Sequence, residues 1–84
     1  MIFKEQNNLN KSVDMHLYIN NDLLDNLKEM QTVYKINKNK HLSISLLTNM
    51  AMYNFIEEIK GIATDDEELA LDRIEELNNQ LLKV

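Results

Sequence analysis

Cysteine, proline and tryptophan are absent from the 84-residue sequence, and glycine occurs once. Without cysteine, neither a disulfide framework nor a cysteine-based zinc site can supplement the hydrophobic core. A chain this short buries only about 60–65% of the surface that it exposes when unfolded. The scarcity of proline and glycine favours long helices with few sharp turns. We therefore expect one small, mainly helical domain that gains stability by forming a homodimer.

Motifs that carry out chemistry are also missing. The sequence has no glycine-rich phosphate loop, no nucleophile elbow and no metal-ligand spacing. His16 and His41 are 25 residues apart and have no second pair of ligands near them. The acids of residues 65–68 are typical of a helix start. We predict that the protein is not an enzyme and that it uses no cofactor and no metal.

Long apolar runs are missing as well. No run approaches the roughly 20 residues of a membrane span, and residues 1–3 are too short for the apolar region of a signal peptide. We expect a cytoplasmic protein that does not enter a membrane.

The net charge of −5 is unevenly distributed. Residues 1–60 carry seven lysines and seven acids, whereas residues 61–84 carry Arg73 and Lys83 against seven acids. The acidic excess therefore lies in the C-terminal segment. It neither implies nor excludes a nucleic-acid surface on the first 60 residues.

The first 19 residues are predicted to form an arm and a strand. Residues 1–12 are polar and rich in asparagine, which indicates a flexible arm. Residues 13–19 alternate strictly, with Val13, Met15, Leu17 and Ile19 on one side of the predicted strand. A lone strand cannot pair its own backbone groups, so we expect a second copy of the chain to supply an antiparallel partner strand.

A helix should follow, capped by Asn20 or Asn21 and ending near Ile36. Its apolar stripe is predicted to comprise Leu23, Leu27, Met30 and Tyr34. Residues 37–41 have no periodicity and are predicted to form a basic loop.

The second predicted helix begins at Ser43, a good N-cap residue, and is apolar over most of its circumference. We expect it to be buried nearly all round. Gly61 is a natural helix stop, and Thr64 and Glu67 have the spacing of a capping box for a third helix. That third helix carries a heptad seam, formed by Ala70, Ile74, Leu77, Leu81 and Val84.

This order of elements resembles the ribbon-helix-helix family of DNA-binding proteins. The resemblance covers residues 13–59 and rests on the alternating segment, the acidic helix start at Asp22, and the sequence Ser43-Ile44-Ser45-Leu46-Leu47 followed by Ala51 and Phe55-Ile56. The family commonly has a tight glycine turn between its helices, where this chain has a longer connection without glycine. The resemblance implies a mainly α ribbon-helix-helix domain over residues 13–60, here followed by an acidic helix in residues 61–84.

The resemblance also implies a function and a set of site residues. The family reads the major groove of double-stranded DNA with a two-stranded ribbon, and here the outward positions are Asp14, His16 and Tyr18. The start of the second helix would bind phosphate, and the expected phosphate contacts are Lys38, Lys40, His41, Ser43, Ile44 and Ser45. The expected dimer core comprises Val13, Met15, Leu17, Ile19, Leu47, Ala51 and Phe55.

Two functions remain open at this point. The first is a sequence-specific DNA-binding regulator, either a transcriptional repressor or a plasmid or phage maintenance factor, with higher oligomers on DNA as a further option. The second is a protein-interaction module or antitoxin that binds a partner protein through residues 65–84. Asp14 would repel phosphates and favours the second function, whereas the basic loop favours the first.

Overall fold

The computed structural model describes residues 1–6 and 11–82. Within these ranges the chain forms three α-helices and no β-strand: α1 (Asn21–Lys38), α2 (Ile44–Asp65) and α3 (Glu67–Leu82). The chain divides into two compact units, of which one is Gln6–Ala51 and the other joins Met1–Glu5 to Met52–Val84. The first unit contains α1 and the start of α2, and the second contains the rest of α2 and all of α3.

The predicted ribbon-helix-helix fold is wrong, because residues 11–19 hold no strand. They are irregular in structure, and Val13 and Met15 keep 86% and 73% of their surface exposed. Alternation shows which side chains of a strand would share a face. A strand exists, however, only where its N–H and C=O groups pair with a neighbour, and the described residues provide no neighbouring strand.

The predicted start of α1 is confirmed. The Oδ1 of Asn20 accepts hydrogen bonds from the backbone N–H of Asp22 at 2.9 Å and of Leu23 at 3.1 Å. These bonds satisfy two donors of the first turn, which have no partner inside the helix. The helix continues two residues beyond Ile36 and ends at Lys38. The next residue, Asn39, is its C-cap and adopts the left-handed conformation with φ 52° and ψ 36°.

The packed face of α1 differs from the predicted stripe. The half-buried residues are Leu24, Leu27, Gln31 and Tyr34, whereas Leu23 and Met30 are exposed. The face that packs within the chain therefore keeps Leu27 and Tyr34 of the predicted stripe and is turned away from Leu23 and Met30. A polar residue, Gln31, takes a place in it.

Two predictions about the boundary between α2 and α3 are wrong. Gly61 does not end α2, which runs on to Asp65. Thr64 lies inside α2, where its hydroxyl donates to the Lys60 carbonyl at 2.9 Å, and it is Asp66 that caps α3. The Asp66 Oδ1 accepts from the Leu69 N–H at 3.2 Å. A glycine stops a helix only where its left-handed conformation is used, and Gly61 does not adopt it.

Few side chains are buried. Among the described residues, only Ile59 of α2 and Ala70 of α3 are classed as buried, with 2% and 0% of their surface exposed. Both belong to the unit that contains Met52–Val84. The expectation that α2 is buried nearly all round is wrong for the single chain, since the following α2 residues are exposed: Leu46, Met50, Met52, Tyr53 and Phe55.

One arginine connects acids of α2 and α3. Arg73 donates through Nε to the Glu58 carboxylate at 2.7 Å and through Nη1 to the Glu76 carboxylate at 3.0 Å. The hydrogen bond to Glu58 is the largest of the causes that raise the pKa of Arg73. The guanidinium is therefore always charged, although solvent around the group weakens its ion pairs.

Candidate nucleic-acid interface

The end of α1 and the start of α2 form the most basic part of the chain. No aspartate or glutamate occurs between Glu29 and Glu57, whereas Lys35, Lys38 and Lys40 all lie in that interval. Lys35 and Lys38 occupy the last turn of α1. We call Lys35, Lys38 and residues 39–45 the α1–α2 junction.

Two hydrogen bonds define the backbone of this junction. The Asn39 N–H donates to the Lys35 carbonyl at 3.0 Å and closes the last turn of α1. The Gln31 side chain donates through Nε2 to the Leu42 carbonyl at 2.9 Å. Because the second bond ties the middle of α1 to the residue before the α2 cap, it holds the end of the basic connection against α1.

The predicted Ser43 cap is confirmed. The Ser43 Oγ accepts from the Leu46 N–H at 3.0 Å, and the Ser43 carbonyl accepts from the Leu47 N–H at 3.1 Å. The hydroxyl hydrogen of Ser43 is still able to donate to an anion. Together with the positive end of the α2 dipole, this gives the junction the chemistry of a phosphate site.

The predicted phosphate contacts all lie within residues 38–45, in the unit Gln6–Ala51. Lys38, Lys40, His41, Ser43 and Ser45 are exposed, and Ile44 is half-buried. Ile44 can therefore contribute only its backbone N–H, whereas the other side chains are accessible to a ligand.

The predicted base contacts lie elsewhere, in the irregular segment before α1. Asp14, His16 and Tyr18 are all exposed there, and Tyr18 is fully so. The ribbon that was expected to present them is absent from the described residues. Their role as base contacts stays a prediction, without a strand to support it.

The predicted dimer core is spread over two parts of the chain. Val13, Met15, Leu17 and Ile19 are exposed, as are Ala51 and Phe55, while Leu47 is half-buried. One copy of the chain therefore leaves most of these side chains in water. That a second copy covers them stays a prediction.

Sequence reasoning missed Gln31 and Asn39, although each had a signal. Gln31 lies four residues after Leu27 and three before Tyr34, on one helix face, where a polar residue indicates a specific hydrogen-bond partner. Asn39 follows the last turn of α1, and asparagine is the usual residue after glycine to adopt the left-handed conformation there.

No group of three or more histidines, cysteines, aspartates or glutamates in the described part of the chain could hold a metal ion. None of the helices in that part is long and apolar enough to cross a membrane.

Comparison with known proteins found no relative. No family model, no curated protein and no solved structure matches the chain.

Proposed function

We propose that the chain is a DNA-binding regulator, active as a homodimer, that holds the phosphate backbone with its α1–α2 junction. The observation that carries this proposal is the hydrogen bond from Gln31 to Leu42, since it fixes to α1 an acid-free, lysine-rich connection that leads into the N-terminus of α2. Lysines, a serine hydroxyl and helix N-terminal N–H groups are the usual donors to DNA phosphates.

The distribution of charge supports the same surface. The unit Gln6–Ala51 carries five lysines and four acids, whereas the unit with Met52–Val84 carries the acidic excess of the chain. All four acids of the unit Gln6–Ala51 precede residue 30, whereas three of its lysines follow it. The attraction of this unit for an anion is therefore concentrated at the junction. The junction therefore offers a phosphate three lysines, and the nearest acids in the sequence are Glu29 and Glu57.

Sequence preference would come from the segment before α1. His16 can donate or accept a hydrogen bond and Tyr18 can donate one, so both are able to bond to base edges. Asp14 is able to accept only from a cytosine amino group among the bases in the major groove. In this proposal phosphates position the protein and this exposed segment distinguishes sites.

The test is fluorescence anisotropy on DNA from the region upstream of the gene, compared with random DNA over a series of salt concentrations. Lys40→Ala should weaken binding to both DNAs and flatten the salt dependence by about one unit of slope, because one phosphate contact is lost. Lys4→Ala is the matched control, since Lys4 lies in the other unit. Equal binding by wild type and Lys40→Ala, or equal losses in both variants, would contradict the proposal.

The role of the bound DNA needs a second measurement. A repressor should lower expression of a reporter placed behind its upstream region, and the Lys40→Ala variant should lose that repression. A plasmid or phage maintenance factor should instead change the retention of DNA that carries the site. Both assays compare the wild type with Lys40→Ala. The assay in which the variant loses its effect identifies the role.

The second candidate function is a protein-interaction module or antitoxin that uses α3. The observation in its favour is that α3 exposes Leu69, Leu71, Leu81 and Leu82 among its acids. Exposed leucines beside carboxylates suit a basic, apolar surface on a partner. Co-purification with the product of an adjacent gene, lost on Leu69→Lys substitution but not on Lys40→Ala, would favour this function over DNA binding.

A further inference from the structure

α1 has a second apolar face, separate from its packed side, that no described residue outside α1 lines. Its packed side contains Leu24 and Leu27, whereas Met30 and Val33 keep 57% and 49% of their surface exposed. A groove of about 570 Å³ follows this second face, and every residue that lines it belongs to α1. Among the described residues this leaves the face open to an occupant from outside the chain.

Four of the seven residues that line the groove form a palindromic pattern. Asn26, Met30, Val33 and Asn37 line it at spacings of four, three and four, which is one stripe of an α-helix. A two-fold rotation about an axis that crosses the helix between Gln31 and Thr32 exchanges the places of Asn26 and Asn37. The same rotation exchanges Met30 with Val33, so this four-residue stripe matches an inverted copy of itself.

The charges of α1 favour the same reversed orientation. Asp22 lies in its first turn, while Lys35 and Lys38 lie in its last turn. Glu29 lines the groove on one side of its centre and Lys38 lines its C-terminal end. An antiparallel copy brings acidic and basic ends together and opposes the two helix dipoles, whereas a parallel copy brings like charges together.

We propose that this face of α1 is a contact between two copies of the chain, packed antiparallel about a two-fold axis. A two-fold contact uses the same surface on both partners, as the palindromic stripe requires. Asn26 then meets the partner's Asn37, where two amides can bond to each other, and Met30 meets the partner's Val33. Lys38 lines one end of the groove and is also a proposed phosphate contact, whereas the other groove residues lie outside the phosphate site. The contact between copies does not require that the chain binds DNA.

Disulfide cross-linking tests both the surface and the orientation. The natural chain has no cysteine, so an introduced thiol is the only one present. A mixture of Asn26→Cys and Asn37→Cys chains should form a cross-linked dimer under mild oxidation, because the two positions face each other. Neither variant alone should cross-link. In the antiparallel pair, two copies of position 26 lie roughly 16 Å apart along the axis, beyond the reach of a disulfide.

Lys28→Cys is the matched control, since this exposed position of α1 lies on the side opposite the groove. It should not cross-link with itself or with either variant. Circular dichroism should show that all three variants keep the helical content of the wild type, and sedimentation should give the oligomeric state of the wild type over 10-fold to 100-fold dilution from a concentrated sample.

Each other outcome overturns the proposal. Cross-linking of Asn26→Cys with itself would show a parallel pair. A sedimenting dimer without any cross-link in the mixture would place the contact on another surface. A wild-type chain that stays monomeric at several hundred micromolar would exclude the contact altogether. None of these results depends on DNA, so DNA binding can fail while this contact holds, and the reverse.

Discussion

The Nε2 of Gln31 and the carbonyl oxygen of Leu42 are 2.9 Å apart and form a hydrogen bond between residues separated by eleven positions. Both residues are half-buried. The bond gives the carbonyl of the connection a partner and joins α1 to the segment that leads into α2. The bond therefore links the packed face of α1 to the α1–α2 junction.

Gln31→Ala should therefore lower the free energy of unfolding by about 1 kcal/mol, because the Leu42 carbonyl loses its donor. It should also weaken DNA binding if the junction is the phosphate site, since the connection loses its tie to α1. Urea unfolding followed by circular dichroism measures the first effect. Thr32→Ala is the control, because the Thr32 hydroxyl bonds only within α1, to the Lys28 carbonyl. Equal stabilities of the two variants would show that the Gln31 bond contributes nothing.

Gly61→Ala should stabilise the protein by roughly 0.5–1 kcal/mol. Gly61 lies inside α2 without a positive φ, and a Cβ added there meets no heavy atom within 4 Å. Alanine lowers the entropy of the unfolded chain and is compatible with the helix. Thermal unfolding should show a higher midpoint. A lower midpoint would mean that Gly61 ends the helix, as its residue type alone suggests.

Asp66→Ala should cost about 1 kcal/mol of stability, because the first turn of α3 loses the acceptor for the Leu69 N–H. Thr64→Ala should cost little, since Thr64 is an interior residue of α2 and alanine has the higher helix propensity. The pair is compared by urea unfolding. The reverse order of effects would restore Thr64 as the cap of α3.

Ile59→Ala should be the most destabilising of these changes, at about 2–5 kcal/mol, because Ile59 is buried and its removal leaves a cavity. Leu71→Ala is the control, since about half of the Leu71 surface is exposed. Circular dichroism and urea unfolding measure both variants. A loss at Leu71 as large as that at Ile59 would indicate that an association between chains buries Leu71.

His16→Ala and Tyr18→Ala should each weaken binding to the true DNA site by about 1–3 kcal/mol and leave binding to random DNA nearly unchanged, if these side chains contact bases. Asp14→Asn distinguishes two environments. Removal of its charge should tighten binding to all DNA if Asp14 faces phosphates, whereas only the true site should weaken if it accepts from a cytosine. Anisotropy titrations with both DNAs measure all three. Unchanged binding in every variant would remove this segment from the DNA surface.

Features that depend on a few neighbouring residues were predictable from the sequence. The caps at Asn20 and Ser43 are local, because an oxygen accepts from N–H groups two or three residues away. The existence and order of the three helices follow from apolar periodicity and from the absence of proline. The basic composition of the α1–α2 junction is likewise a property of the sequence.

Features that depend on partners distant in the chain were decided only by the tertiary structure. The alternation of residues 13–19 predicts a strand, yet no neighbouring strand in the described residues pairs with it. Gly61 and Thr64 are compatible with a helix end, but each also fits a helix interior, and α2 continues through both. The half-buried face of α1 includes Gln31 rather than Met30, and Gln31 donates to the Leu42 carbonyl. That partner lies eleven residues away and cannot be seen in the periodicity of a single helix.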